Sequence, residues 1–197
     1  MNKIVSALLA IGFLFLFGTA EAAGPRNSIR AGLMLNPIGY VSMVEYEHLI
    51  AGKVSLGGRV GVLSYDYDDG GYEEEGDGSG ADFIIRIYRS GAGFNGFYYG
   101  FAAGIWQIDW EWREDFFTPA GVWISGNTTA LNLAARVGWK IPLGAGDRVY
   151  IDPSITLGNY FSLDSETDDP WKGTQYDDQN DELGVYIAGG VVVGVNF

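Results

Sequence analysis

Charged residues recur inside the alternating segments of this sequence, and they are the first candidates for chemistry. Arg30, Glu45, Glu47, Arg59, Arg86, Arg136 and Asp152 each sit in phase opposite to a run of aliphatic residues. Four guanidinium groups thus stand against three carboxylates, with Asp82 a candidate fourth nearer the other end. Arginine can bond a carboxylate with two parallel N–H groups, so such a set on one shared face pairs well. Unpaired charges in an apolar interior are costly. The set therefore reads as a salt-bridge network inside a closed structure, with a gate or ion path as the functional alternative. Replacing Arg59 or Arg136 with Met is expected to destabilise the fold by a few kcal/mol.

A second group is acidic. Asp66, Asp68, Asp69, Glu73, Glu74, Glu75 and Asp77 cluster in one stretch. Asp164, Glu166, Asp168, Asp169, Asp177, Asp178, Asp181 and Glu182 cluster in another, offset by Lys172. A solvated negative surface is the plain reading. Calcium is the sharper one, because Ca²⁺ takes oxygen ligands from clustered carboxylates. Asp66, Asp68, Asp69 and Asp77 are the candidate ligands, although the stretch lacks the fifth-position ligand and terminal Glu of an EF-hand loop. No cofactor is otherwise expected.

Nucleophilic catalysis finds little support. His48 is the only histidine and cysteine is absent. The parity of His48 points it outward, and no serine partner is suggested. Trp106, Trp110, Trp112, Trp123, Tyr65, Tyr67 and Tyr160 fall near strand ends, with Trp139 at the opposite rim, and read as two interfacial aromatic girdles. Trp171 and Tyr72 are candidates for an outer ligand patch.

These residues need strands to position them. In the last segment Leu183, Val185, Ile187, Val191, Val193, Val195 and Phe197 share one parity, and Gly184, Tyr186, Ala188, Gly190, Gly194 and Asn196 the other. Strand side chains alternate faces, so one face is apolar and the other small or polar. Val192 is the one bulky aliphatic on the small-residue face. Seven more segments read the same way: 28–36, 39–49, 53–67, 81–89, 97–112, 128–141 and 149–161. In the fifth, polarity inverts after Ile105: Ile108, Trp110 and Trp112 are apolar while Gln107, Asp109 and Glu111 are polar. That predicts a β-bulge or a strand leaving the lipid zone. Connections at 36–39, 51–52, 91–96 and 144–147 are short. Those at 66–80, 113–127 and 162–181 are long and fall on one side.

The charges lie opposite the aliphatics throughout. In an eight-stranded barrel the interior is filled by side chains. Glycine and charge inside with aliphatics outside fits a barrel in lipid. The first segment is expected to be a signal peptide over 1–22, with Lys3, an apolar run over 4–17 and Ala20-Glu21-Ala22 as cleavage site. Residues 23–197 then form one barrel domain. A net charge of −13 argues against nucleic acid as a partner.

Across 28–197 the sequence resembles the small eight-stranded outer-membrane β-barrel class that includes the OmpA membrane domain, OmpX and PagL-like proteins, closest to uncharacterised members. The C-terminus carries the resemblance: Val193, Val195 and Phe197 match the alternating pattern that ends in an aromatic residue. The class often has glycine where Val192 stands. The resemblance implies an all-β, eight-stranded antiparallel up-and-down transmembrane barrel in the outer membrane of a Gram-negative cell. It also implies Val193, Val195 and Phe197 as the signal read by the barrel-assembly machinery, lipid and lipopolysaccharide as surroundings, and a monomer. Enzymes of the class place a Ser/His dyad near the outer leaflet. His48 would lie at the other end, so no catalytic residue is assigned. The expected role is structural or surface-interacting, through the acidic outer segments. The alternatives are a narrow channel for ions or small solutes and a lipid A-modifying enzyme.

Overall fold

A computed structural model describes residues 25–37, 39–68, 72–89, 94–114, 123–144, 148–168 and 184–197. The signal peptide expected over 1–22 lies outside them, as do Asp69, Asp169, Trp171, Lys172, Asp177, Asp178, Asp181 and Glu182. Eight strands follow in chain order: β1 Asn27–Asn36, β2 Gly39–Ala51, β3 Val54–Asp68, β4 Tyr72–Tyr88, β5 Gly96–Glu114, β6 Ile124–Leu143, β7 Val149–Asp168 and β8 Val185–Asn196. Each pairs antiparallel with its neighbours, and β8 returns to β1 to close the barrel. Closure removes the free edges, so the ladder can satisfy the backbone of every strand without water.

The last residue is built into the seam. The Asn27 amide donates to the Phe197 carbonyl at 2.9 Å, and the Phe197 amide to the Asn27 carbonyl at 2.8 Å. The side chains of Val193, Val195 and Phe197 face outward and are exposed. Val192, just before them, is buried in one cluster with Met34, Val41 and Met43. A valine is therefore tolerated there because the upper lumen is apolar.

The strands are longer than the sequence suggested. The stretch 66–80 is not a long loop: Asp66 pairs with Glu75, Asp68 with Glu73, and Ser64 with Asp77. β5, β6 and β7 likewise run into the stretches 113–127 and 162–181. β6 and β7 have 20 residues each. That is about 65 Å of strand at roughly 3.3 Å per residue. A tilted strand needs only about 9–11 residues to cross a bilayer. Half of the tall side of the barrel thus stands clear of any hydrocarbon layer.

The inversion after Ile105 is not a bulge. β5 keeps unbroken register with β4 and β6, and side chains keep alternating: Ile105 out, Trp106 in, Gln107 out, Ile108 in. It is the surroundings that change. Register partners Ala81, Ile105, Leu131 and Phe161 form one row of outward apolar residues. Two residues further up on β4, β5 and β6, and three on β7, Ser79, Gln107, Thr129 and Asp164 form an outward polar row. Below this boundary the outside is aliphatic and aromatic: Phe83, Phe101, Val137, Ile155 and Leu157 are all exposed. Above it the inside is apolar: Trp106, Ile108, Trp110, Leu63 and Ile124 are buried. True irregularities occur at Leu49/Ala51 and at Thr129/Ala130. The second leaves Leu163 unpaired, an exposed apolar residue just above the boundary.

Candidate functional site

The lumen has two tiers, and the lower one gathers all seven charged residues named from the sequence. Arg30, Glu45, Glu47, Arg59, Arg86, Arg136 and Asp152 are buried inside the barrel, joined by Asp82 and Lys140. Strand alternation turns them inward, and the register brings them level: Arg30 pairs with Glu45, Glu45 with Arg59, and Arg59 with Asp82.

Arg30 is the hub. Its Nε donates to Glu45 Oε1 at 2.8 Å and its Nη1 to Asp152. Its Nη2 bonds Glu45 and lies 3.5 Å from Glu47 Oε2. Arg86 Nη1 pairs with Glu45 and lies 3.3 Å from Glu47 Oε2. Glu47 also accepts from the Tyr88 hydroxyl at 2.6 Å, from Ser55, and from Lys140 Nζ at 3.1 Å. Asp152 accepts from Tyr98 at 3.0 Å. Carboxylates held by several charged and neutral donors offset the cost of burial that a single pair would not.

Lys140 was not assigned from the sequence. Its parity with Arg136 and Gly138 was the available signal. It caps the lower end, bonded to Glu47 and, at 3.3 Å, to Ser28, with its ammonium 4.2 Å from the centre of the Phe94 ring and 4.3 Å from that of Tyr150. An ammonium over aromatic faces is attracted by the ring quadrupole. Tyr88, Tyr98 and Tyr150 fill the remaining space, and glycines make room: a Cβ at Gly138 would strike the Tyr98 ring and one at Gly194 the Tyr150 ring.

Asp82 joins the tiers. It receives Arg59 Nε at 2.7 Å and Nη2 at 2.6 Å from below, Asn132 Nδ2 at 2.7 Å, and the Trp106 indole N–H at 3.2 Å from above. Tyr186 donates to Asn132 at 3.0 Å and stacks on Tyr160, whose ring meets Trp106 edge-on. Trp110 donates to Thr128 at 2.9 Å. Trp106, Trp110, Tyr65 and Tyr160 are therefore not girdle residues. They turn inward and plug the upper lumen, while Trp139 at the lower rim and Trp123 at the upper end are exposed.

Asp66, Asp68 and Asp77 stand on the outer face of the β3–β4 hairpin above the boundary, exposed to solvent. Glu73, on the same hairpin, pairs with Arg113 at 2.5 Å. Among the described residues no three acidic or histidine side chains come together as a metal site. His48 faces outward at the lower rim, its Nδ1 2.8 Å from Asn27 Oδ1, which also accepts from Tyr46 at 2.8 Å. That contact ties β1 to β2.

No family model matches the chain. No curated protein matches it either. Solved structures do. A major outer membrane protein from Thermus thermophilus superposes with a TM-score of 0.60 at 15% identity, over 88% of this chain and 100% of that one. CarO from Acinetobacter baumannii gives 0.50 at 15%, over 90% and 100%. Ail, the attachment invasion locus protein of Yersinia pestis, gives 0.50 at 9%, over 88% and 98%. The fold is that of the small outer-membrane β-barrels, eight antiparallel strands in one closed sheet.

Proposed function

We propose that this outer-membrane β-barrel is a non-catalytic, non-conducting protein that works as a structural and surface-interacting element, through the acidic hairpins it raises above the lipid. The filled lumen carries this reading. A charge network occupies the lower tier and an aromatic plug the upper, and the cavity found between Arg59, Arg86 and Arg136 measures about 10 Å³, room for about one water.

The tall side supports the second half of the proposal. Asp66, Asp68, Glu75, Asp77, Asp109, Glu111, Asp164 and Glu166 point outward above the apolar belt. A rigid paired hairpin presents such charges at lower entropic cost than a loop does, and a negative field steers cationic partners toward it.

Single-channel recording in planar bilayers tests the closed lumen. The expected trace is flat across the voltage range that a porin tolerates, and reproducible unitary steps would overturn the proposal. The non-catalytic reading is tested separately by mass spectrometry of lipid A from cells with and without the gene. Identical acyl patterns are expected. A modification that disappears with the gene would replace this reading with an enzymatic one.

A further inference from the structure

We infer that the lower rim is a binding surface for anionic phospholipid, formed by Arg26, Lys53, Arg89 and Arg148, whose cationic heads meet the phosphates of the inner leaflet. All four side chains are exposed. They stand before β1, in the β2–β3 turn, after β4 and before β7, and so are spread around the ring rather than gathered at one point. Short connections put this rim on the periplasmic side. The inference goes beyond the role of the acidic hairpins and holds whatever those hairpins bind.

Backbone bonds fix each of the four in place. The Leu49 amide donates to the Arg26 carbonyl at 2.8 Å, and the Tyr88 amide to the Lys53 carbonyl at 2.8 Å. The Arg89 amide donates to the Phe97 carbonyl at 2.9 Å, and the Asn196 amide to the Arg148 carbonyl at 2.6 Å. They are therefore held in the last rung of the ladder, at the border of the apolar belt. Phe97 and its register partner Trp139 face outward there, as do Ile50 near Lys53 and Val149 beside Arg148, and all are exposed. A long basic side chain at such a border lays its stem along hydrocarbon and puts its head among the lipid headgroups.

Exposed charge is split by sign across the bilayer. Among the described residues no side-chain carboxylate is exposed at the lower rim or pairs with any of the four cations. The negative group found there is the terminal carboxylate of Phe197, one against four. On the opposite side Asp66, Asp68, Glu75, Asp77, Asp109, Glu111, Asp164 and Glu166 rise above the belt. Arg113, the described cation on that side, is already paired with Glu73.

Phosphate at headgroup depth is the anion this arrangement fits. Arginine bonds phosphate oxygens with two parallel N–H groups, and lysine meets them as a point charge. Cations held at an anionic lipid surface add their attractions. A partner deeper in the periplasm would need cations carried beyond the belt, and these four are anchored at its edge. The net charge of −13 works in the other direction, since by itself it repels anionic lipid. A preference for such lipid therefore has to come from the rim.

The test uses the mature barrel refolded in phosphatidylcholine vesicles, with phosphatidylglycerol or phosphatidylcholine spin-labelled on the acyl chain as the probe. The motionally restricted fraction of the spectrum measures how strongly each lipid associates with the barrel. Phosphatidylglycerol should be preferred about two- to fivefold at low ionic strength, and the preference should shrink as salt screens the rim. Equal association, or a preference indifferent to salt, would overturn the surface, and this arm needs no variant. The combined variant Arg26→Gln, Lys53→Gln, Arg89→Gln and Arg148→Gln keeps the backbone bonds, should fold as judged by heat-modifiable mobility, and should lose the preference. A folded variant that retains it would contradict the inference. Equal lipid association together with rim-dependent cosedimentation with peptidoglycan would assign the surface to the cell wall instead.

Discussion

Arg59 and Arg136 look alike in sequence, each an arginine on the small-residue face of a strand, yet the structure separates them. Arg59 holds Asp82 with two close donors. Replacing it with Met strands a buried carboxylate, at a cost of about 3–5 kcal/mol. Arg136 has only a hydroxyl, a thioether and a carboxylate oxygen at 3.7 Å. Its Met variant takes from Glu45 only the 3.7 Å contact to Oε2, while Arg30 and Arg86 keep Oε1, and should cost less, about 1 kcal/mol. Urea unfolding in detergent micelles checks the ranking, and equal losses for the two variants would show that charge balance does not govern this lumen. The seven interior charges were legible because parity alone assigns a strand residue to a face. Lys140 was equally in phase, but a lysine near a turn also suits a solvated rim, and only the packing of Phe94 and Tyr150 around it decides. The inward turn of Trp106 and Trp110 was not legible, because tryptophan near a strand end suits a girdle and a plug equally well.

At the scale of the strand, one boundary governs what each position tolerates. Phe101 points out within the belt, and Gln107 points out above it. Phe101→Arg should cost about 2–4 kcal/mol, and Gln107→Arg about 0–1 kcal/mol, following the depth dependence of lipid-facing charges. Heat-modifiable mobility on gels and urea unfolding in lipid vesicles would both register the difference. A similar cost at the two sites would place the belt elsewhere. Within the same strands Gly80 must remain small, because an added Cβ would enter the Trp106 ring. Gly80→Val should displace the indole from Asp82 and lower stability by about 1–3 kcal/mol, visible as a red-shifted tryptophan emission. Unshifted emission would mean the plug is not held there. The stretch 66–80 read as a loop for a physical reason. A strand with water outside and packed glycines inside, as at Gly76, Gly78 and Gly80, has the composition of a loop. Likewise, a polarity inversion along a strand is the same string of letters whether a bulge shifts the register or the solvent outside changes. Only the unbroken pairing of β5 with both neighbours distinguishes the two.

The whole molecule is one closed barrel with two zones along the strands of its tall side. The lower one is arranged for lipid, with charges inside and aliphatics outside. The upper one is arranged as a water-soluble β-barrel would be, with tryptophan and isoleucine inside and carboxylates outside. Asp82 and Trp106 connect them at the boundary row. The eight-strand count, the closure and the side of the charges followed from alternation. The height above the membrane did not, because it depends on register. Spin labels placed one at a time at the outward positions of β5, residues 99, 101, 103, 105, 107, 109 and 111, in reconstituted vesicles test this most directly. The account predicts preferential collision with oxygen through residue 105 and with a water-soluble nickel chelate from 107 onward. A gradual change along the strand, or oxygen preference persisting at 109 and 111, would contradict it.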